Sequence, residues 1–341
     1  MIKIYLSIFL LMLGLSISSN AQDPQFSQFY AAPLYLNPGF AGSAELARVG
    51  INYRNQWPSY PTQFVTYSAY FDYYFDEYNS GLGLLLLSDK EGLAGLNTNS
   101  VAVQYAYQLR LTDNLIFRPG LEGSYTMRNI DKGNLLFGDQ IDFDGPFKDL
   151  TDDPIIGSDF RSNYFDFGAG GLLYTDRLWV GFAAHHLLMP INSFVDASSQ
   201  LDIKYSVHAG YKILLPTATN LHFQGGYRDI SITPTMLYKQ QGQFSQMDAG
   251  MYFTYEPFVF GAWYRGLPFK PVEGIPNHES VIFLAGISTN GLHIGYSYDY
   301  TISKLSIATG GAHEISVRYE FFLGDPRKPP KNVRQLPCPK F

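Results

Sequence analysis

His293, Ser297 and Asp299 fall close together in LHIGYSYDYT and are the first residues whose chemistry must be weighed. A hydrolase needs a nucleophile, a base and an orienting group within hydrogen-bond reach. If this stretch is a strand, all three lie on one face. Residues two apart on a face are ~7 Å apart, too far for a direct relay. The chain contains no GxSxG. A second cluster, FGDQIDFDGPFKDLTDD, carries Asp139, Asp142, Asp144, Asp149, Asp152 and Asp153. Carboxylates are hard oxygen ligands suited to Ca²⁺, but the EF-hand register fails. Gln140 stands where the first Asp belongs, and Thr151 where the last ligand belongs. The cluster reads as a solvated acidic loop. The doublet His185–His186 would point its rings to opposite faces of a strand, so one metal could not easily use both. These residues imply no enzyme, no cofactor and no metal centre.

The elements that carry them alternate with period two. In HEISVRYEFF, Ile315, Val317, Tyr319 and Phe321 point one way, and Glu314, Ser316, Arg318 and Glu320 the other. In VAVQYAYQLRL, Val101, Val103, Tyr105, Tyr107, Leu109 and Leu111 oppose Ala102, Gln104, Ala106, Gln108 and Arg110. The face opposite the apolar one holds Gly, Ala, Ser and a few charges. That suits a lumen lining better than a solvated surface. Composition agrees: 26 Tyr, 26 Phe and 32 Gly accompany only 16% charged residues, where ordinary domains carry about 25%. The net charge of −6 is mild and argues against a nucleic-acid partner.

Residues 1–21 read as a secretory signal peptide: Lys3, an uncharged apolar run over 4–17, then Ser19 and Ala21 at −3 and −1. The run is short for a transmembrane helix, which needs ~17–25 residues. No Cys follows the run, which excludes a lipoprotein anchor, and Gln22 becomes the mature N-terminus. Cys338 is the only cysteine, so no internal disulfide forms.

Strands are predicted near 45–54, 63–75, 81–89, 98–111, 114–127, 162–175, 177–186, 201–213, 243–255, 257–266, 279–289, 291–300 and 312–322, with one more within 219–239. Lipid offers no hydrogen-bond partner, so the sheet must close without an edge. Tight connections at 76–80, 112–114, 175–177 and 289–291 alternate with longer ones at 55–62, 90–97, 128–161, 267–278 and 301–312. Closed bacterial barrels have even strand numbers, with short periplasmic turns and long external loops. An even count is kept if 219–239 supplies a single strand, with part of 214–228 projecting from the bilayer. The expected fold is therefore an all-β, antiparallel transmembrane outer-membrane barrel of about fourteen strands over 45–323.

Three stretches carry a family resemblance: QDPQFSQFYAAPLYLNPGFAGS, GLGLLLLSDKEG followed by VAVQYAYQL, and GYSYDYTISKLSIATGGAHEISVRYEF. Together they resemble the PorP/SprF outer-membrane proteins of Bacteroidetes, over nearly the whole mature chain. The resemblance implies a role in type IX secretion and gliding motility. It implies as partners a large exported, adhesin-like surface protein and other components of that machinery. It supplies no catalytic residues. A rival reading is a passive diffusion channel for small or apolar solutes. A barrel hydrolase is a more distant one.

Residues 22–44 are aromatic, nearly uncharged and interrupted by Pro24, Pro33 and Pro38, which prevent an added strand or a long helix. With the mature N-terminus placed in the periplasm, this segment is expected to plug the lumen or cap its mouth. Asp72, Arg110, Arg118, Glu122, Arg265, Asp299, Arg318 and Glu320 are expected to form a lumen network of both signs. Residues 324–341 form a basic, proline-rich periplasmic tail with Arg327, Lys328, Lys331 and Arg334. Those four, with Pro146, Phe147 and Phe160 of the long external loop, are the candidate partner contacts. Membrane lipid surrounds the rest.

Overall fold

The computed structural model describes residues 23–60, 64–92, 95–131, 133, 135, 138–140, 151, 153, 160–194, 199–215, 230–266, 278–303, 309–323 and 336–338. The expected signal peptide over 1–21, Pro146, Phe147, Arg327, Lys328, Lys331, Arg334 and most of the acidic loop lie outside the described residues. So does 216–229, which holds most of the expected projection.

The strands are β1 Ala47–Gln56, β2 Phe64–Phe75, β3 Ser80–Glu91, β4 Leu96–Tyr107 with its continuation Leu109–Thr112, β5 Leu115–Ile130, β6 Arg161–Tyr174 and β7 Leu178–His185. Then follow β8 Lys204–Tyr211 with its continuation Ile213–Leu214, β9 Ile230–Gln241, β10 Phe244–Tyr255, β11 Phe258–Gly266, β12 His278–Thr289, β13 Leu292–Thr301 and β14 Ala312–Phe321. They form a closed antiparallel barrel of fourteen strands. The barrel closes where β1 pairs with β14, from Ala47 opposite Phe321 to Gln56 opposite Ala312. The single strand β9 between the paired β8 and β10 keeps the count even.

Local chemistry explains the joints. β4 and β8 break at Gln108 and Lys212, whose N–H groups bond instead to Asn79 O and Arg177 O, both at 2.8 Å. Asn290 and Gly291 both take positive φ, 49° and 79°, the backbone that a two-residue hairpin matched to strand twist requires. The faces follow the alternation. Val317 is 41% exposed on the outside, whereas its neighbour Ser316 is 1% exposed on the inside.

The outer face sets the first expected result. Val317 lies mid-strand between Ile51 and Ile294, and Phe322 lies just past the end of β14. Val317→Arg should cost ~2–4 kcal/mol, and Phe322→Arg only ~0–1 kcal/mol, because the penalty for a lipid-facing charge depends on depth. Urea unfolding of the two variants in lipid vesicles measures this. Equal costs would contradict the assigned depths.

Residues 23–46 lie inside the barrel, and most of their side chains are buried. They form a four-residue helix, Pro33–Leu36, and a 3₁₀ turn, Pro38–Phe40. Wall glycines let the backbone approach closely. A Cβ on Gly81 would lie 2.0 Å from Ala41 O, and one on Gly120 would lie 2.4 Å from Gly39 N.

The two ends of this segment lie at opposite mouths. Asp23 bonds to His186, Lys204 and Gln241, at the late end of β7, the start of β8 and the end of β9. Gly42 bonds to Asp72 beside the other mouth, where the chain enters β1. This corrects the expectation that the segment begins and ends on the same side. Its aromatic residues need wall contact along the whole length of the lumen, and threading from mouth to mouth supplies it.

Candidate functional site

The candidate site is the contact between residues 23–46 and the inner wall. Its polar centre is Ser27. The Ser27 hydroxyl donates to Asp299 Oδ2 at 2.6 Å. It accepts from Arg54 Nη1 at 2.7 Å and from Arg265 Nη2 at 2.9 Å. The N–H groups of Ser27 and Gln28 donate to the Glu314 carboxylate at 2.7 and 3.0 Å. Arg265 also pairs with Asp248 and Asp299, each at 2.9 Å, and Arg54 pairs with Asp299 at 2.9 Å. These charges are buried. Their mutual compensation and hydrogen bonding is the condition under which ionised groups are tolerated away from water.

Toward the β1 entrance, Asp72 takes two bonds from Arg48, at 2.8 and 2.9 Å, and one from Gly42 N–H at 2.7 Å. Arg118 donates to the carbonyls of Ala41 at 2.5 Å and Gly39 at 3.3 Å, and also to Gln108. Asn37 donates to Gly171 O at 3.1 Å and Phe182 O at 2.9 Å, while its own oxygen caps Gly39 N–H at 2.8 Å. The apolar contacts gather around the same stretch. Trp179 Nε1 donates to Tyr30 OH at 2.7 Å, and Phe40 stacks on His208 with ring centres 5.5 Å apart. Leu336 is buried in this cluster and Cys338 packs against it. Leu336 and Cys338 of the tail therefore lie against the lumenal segment.

At the other mouth, His186 has φ 62° and bends the chain away after β7. The bend brings both rings of the His pair to buried carboxylates, contrary to the expectation of opposite faces. His185 Nδ1 lies 3.2 Å from Glu122 Oε1, and His186 lies 2.6 Å from Asp166 and 2.8 Å from Asp23. Lys204 Nζ lies 2.6 Å from Asp23. Burial opposes ionisation of Asp23, but His186 and Lys204 hold its carboxyl well below the usual range. Burial alone would lower the pKa of His186. Asp23 and Asp166 outweigh burial and the nearby Lys204, and push it up to about 9.

A histidine raised in the fold stabilises fully below its unfolded pKa of ~6.5 and loses that contribution as pH rises through the folded value. The protection factor of residues 23–28 against hydrogen exchange, taken relative to the intrinsic rate at each pH, is therefore expected to fall between about pH 7 and pH 10. His186→Gln should remove that pH dependence. An unchanged profile in the variant would assign it to another group.

Seven of the eight expected lumen residues are buried or half-buried along this wall: Asp72, Arg118, Glu122, Arg265, Asp299, Arg318 and Glu320. Arg318 Nε lies 3.6 Å from Glu320. Arg110 is a correction. Its side chain is exposed in the last turn of β4, because alternation fixes the face of a residue but not its depth, and this one lies at the rim. Phe160 is buried at the head of β6, and its carbonyl accepts Ile130 N–H at 3.1 Å. Ser297 bonds to Gln28 at 3.1 Å, and Asp299 is paired with Arg54 and Arg265. Among the described residues, no group of three or more His, Cys, Asp or Glu is placed to hold a metal ion.

The sequence reading missed Arg48, Arg54, Asp248 and Glu314 as members of the network. Arg48 and Arg54 were detectable, since they alternate with Val49, Ile51 and Tyr53.

The family model described as type IX secretion system membrane protein PorP/SprF matches residues 18–319. No curated protein matches the chain. Among solved structures, the P. putida toluene transporter TodX is 10% identical, with 84% of this chain and 93% of that chain covered and a TM-score of 0.41. A Pseudomonas aeruginosa FadL homologue is 11% identical, covering 81% and 90%, with a TM-score of 0.40. A triple-mutant porin of Rhodopseudomonas blastica is 8% identical, covering 81% and 99%, with a TM-score of 0.33.

Proposed function

The chain belongs to the PorP/SprF family of type IX secretion system membrane proteins, and from that premise we propose that it supports export or surface attachment of a large, adhesin-like protein across the outer membrane. The signal sequence 1–21 delivers the chain and is removed. The barrel then acts as a docking and assembly element of the secretion and gliding machinery, not as an enzyme. The long external connections over 128–161 and 301–312, including Pro146 and Phe147, face the exported partner. The basic tail, with Arg327, Lys328, Lys331 and Arg334, faces periplasmic components.

One observation favours this reading over a diffusion channel: residues 23–46 occupy the lumen from mouth to mouth, and Ser27 and Gln28 are hydrogen-bonded to buried charges of the wall. We assign them the role of a plug. The test combines two measurements on the full chain. Gentle solubilisation of outer membranes should co-purify an exported surface protein together with secretion components. Planar-bilayer recording should find no stable open pore. A stable solute-conducting pore with no co-purifying partner would favour the channel.

A further inference from the structure

A polar cavity of about 180 Å³ lies beside the start of the lumenal segment. Its walls come from Asp23–Gln25, Tyr35, the start of β8, the end of β9, the start of β10 and the start of β12. The connections over 131–160 and 186–203 leave from this mouth, whereas the tight turns at 76–79 and 290–291 lie at the opposite one. Long connections mark the external side of such a barrel. The cavity thus sits at the outer end of the lumen.

Several charges around it are already matched. Lys204 and His186 pair with Asp23 at 2.6 and 2.8 Å. Gln241 accepts the Asp23 N–H and donates back to its carboxylate, both at 3.2 Å. Lys239 and Glu279 are different. Among the described residues, Lys239 Nζ makes one hydrogen bond, to Gln25 Oε1 at 3.4 Å. The Glu279 carboxylate likewise accepts one, from Gln25 Nε2 at 3.3 Å. Both are longer than the ~2.7–2.9 Å of a bond between charged partners. No ion pair joins the two side chains directly. The Gln25 amide stands between them, its oxygen toward the cation and its nitrogen toward the carboxylate.

Glu279 reaches the lumen through a bulge. Arg265 of β11 opposes Ser280, but the next residue, Gly266, opposes His278. Glu279 is therefore the extra residue of β12. Regular alternation would put it on the outward face with Phe283, since Ser280 and Ile282 are inward and buried. A bulge re-aims a side chain in this way. Lys239 needs no such device, because it alternates inward with Thr235 and Leu237.

We propose that this cavity binds a small zwitterion, a free α-amino acid or short peptide, with its carboxylate on Lys239 and its ammonium on Glu279. The Gln25 amide presents the same polarity in neutral form, and the ligand displaces it. Full charges in its place give both half-buried groups a counter-charge, which a neutral amide cannot supply. A simple anion would match Lys239 but meet Glu279, and a simple cation would match Glu279 but meet Lys239. The pair therefore selects a ligand that carries both charges. The site does not depend on the export role, because it uses only the lumenal segment and the wall around it.

Ligand-observed NMR on the full chain in detergent micelles tests this, with L-alanine, L-alanyl-L-alanine, acetate and methylammonium as the probes. At least one zwitterion should bind about tenfold or more tightly than either single-charge probe. Which of the two binds better distinguishes a free amino acid from a peptide. Lys239→Gln and Glu279→Gln should each weaken that zwitterion about tenfold or more, with heat-modifiable barrel at normal abundance. Glu279→Gln should also strengthen acetate, because the repelling carboxylate is gone. Gln25→Ala should bind the zwitterion at least as tightly as the unmodified chain, because the competing amide is gone. Failure of both zwitterions to bind the unmodified chain would overturn the proposal without recourse to any variant. So would acetate or methylammonium bound as tightly as the zwitterions. Zwitterion binding unchanged in both charge variants, or weakened by Gln25→Ala, would overturn it as well.

Discussion

A chain retaining residues 1–22 but lacking 23–44 is expected to conduct ions in planar bilayers, where the full chain is silent. Barrels of about eight strands fill their interior with wall side chains alone, whereas those of sixteen to eighteen leave an aqueous channel. A fourteen-strand wall lies between these cases. Here the wall has been stripped where the segment passes: Gly81 and Gly120 offer no side chain to fill the space. Removing the segment also takes Ser27 from between Arg54, Arg265 and Asp299, and these charges then require water. All fourteen strand pairings remain, so the variant should still migrate as a heat-modifiable barrel, with a lower thermal transition. A silent truncated barrel would mean that something other than residues 23–44 closes the lumen.

The second large effect is expected at Arg265. Its guanidinium is 1% exposed and serves Asp248, Asp299 and Ser27 at once, each at 2.9 Å. Arg265→Met leaves two buried carboxylates without that cation. Breaking a buried pair in this way costs about 3–5 kcal/mol. Arg265→Lys should recover little, because one ammonium lacks the planar fork that reaches three acceptors. Adding Asp248→Asn to Arg265→Met should restore part of the loss, since a neutral amide needs no counter-charge. Denaturant unfolding in detergent, arranged as a double-mutant cycle, measures these terms. A cost below about 1 kcal/mol for Arg265→Met would place water in this part of the lumen.

Much of this architecture is legible in the residues, for identifiable reasons. The pleat repeats every two residues, so HEISVRYEFF reveals its faces at once, and its pattern alone assigns Arg318 and Glu320 inward. Lipid forbids an open sheet, so the parity of turns fixes a single strand within 219–239. Depth is not legible in the same way. Arg110 shares the inward parity of Gln104 yet lies at the rim, because alternation carries no information about where the lumenal segment ends. The backbone reversal at His186 leaves no periodic trace either, so the approach of its ring to Asp23 could not be read from spacing. The threading of residues 23–46 escaped for a related reason. Its anchors Asp23, Ser27 and Gln28 are ordinary polar residues whose side-chain partners, Arg54 apart, are more than 150 positions away in the chain.

The position of Ser27 has a mechanical consequence. Arg54 belongs to β1 and Glu314 to β14, the first and last strands of the ring, and both hold residues 27–28. The segment is thus a suture across the join at which the ring was closed. Unzipping that join would require Ser27 and Gln28 to be withdrawn first, so the interior segment locks the wall against sideways parting as well as filling the space behind it.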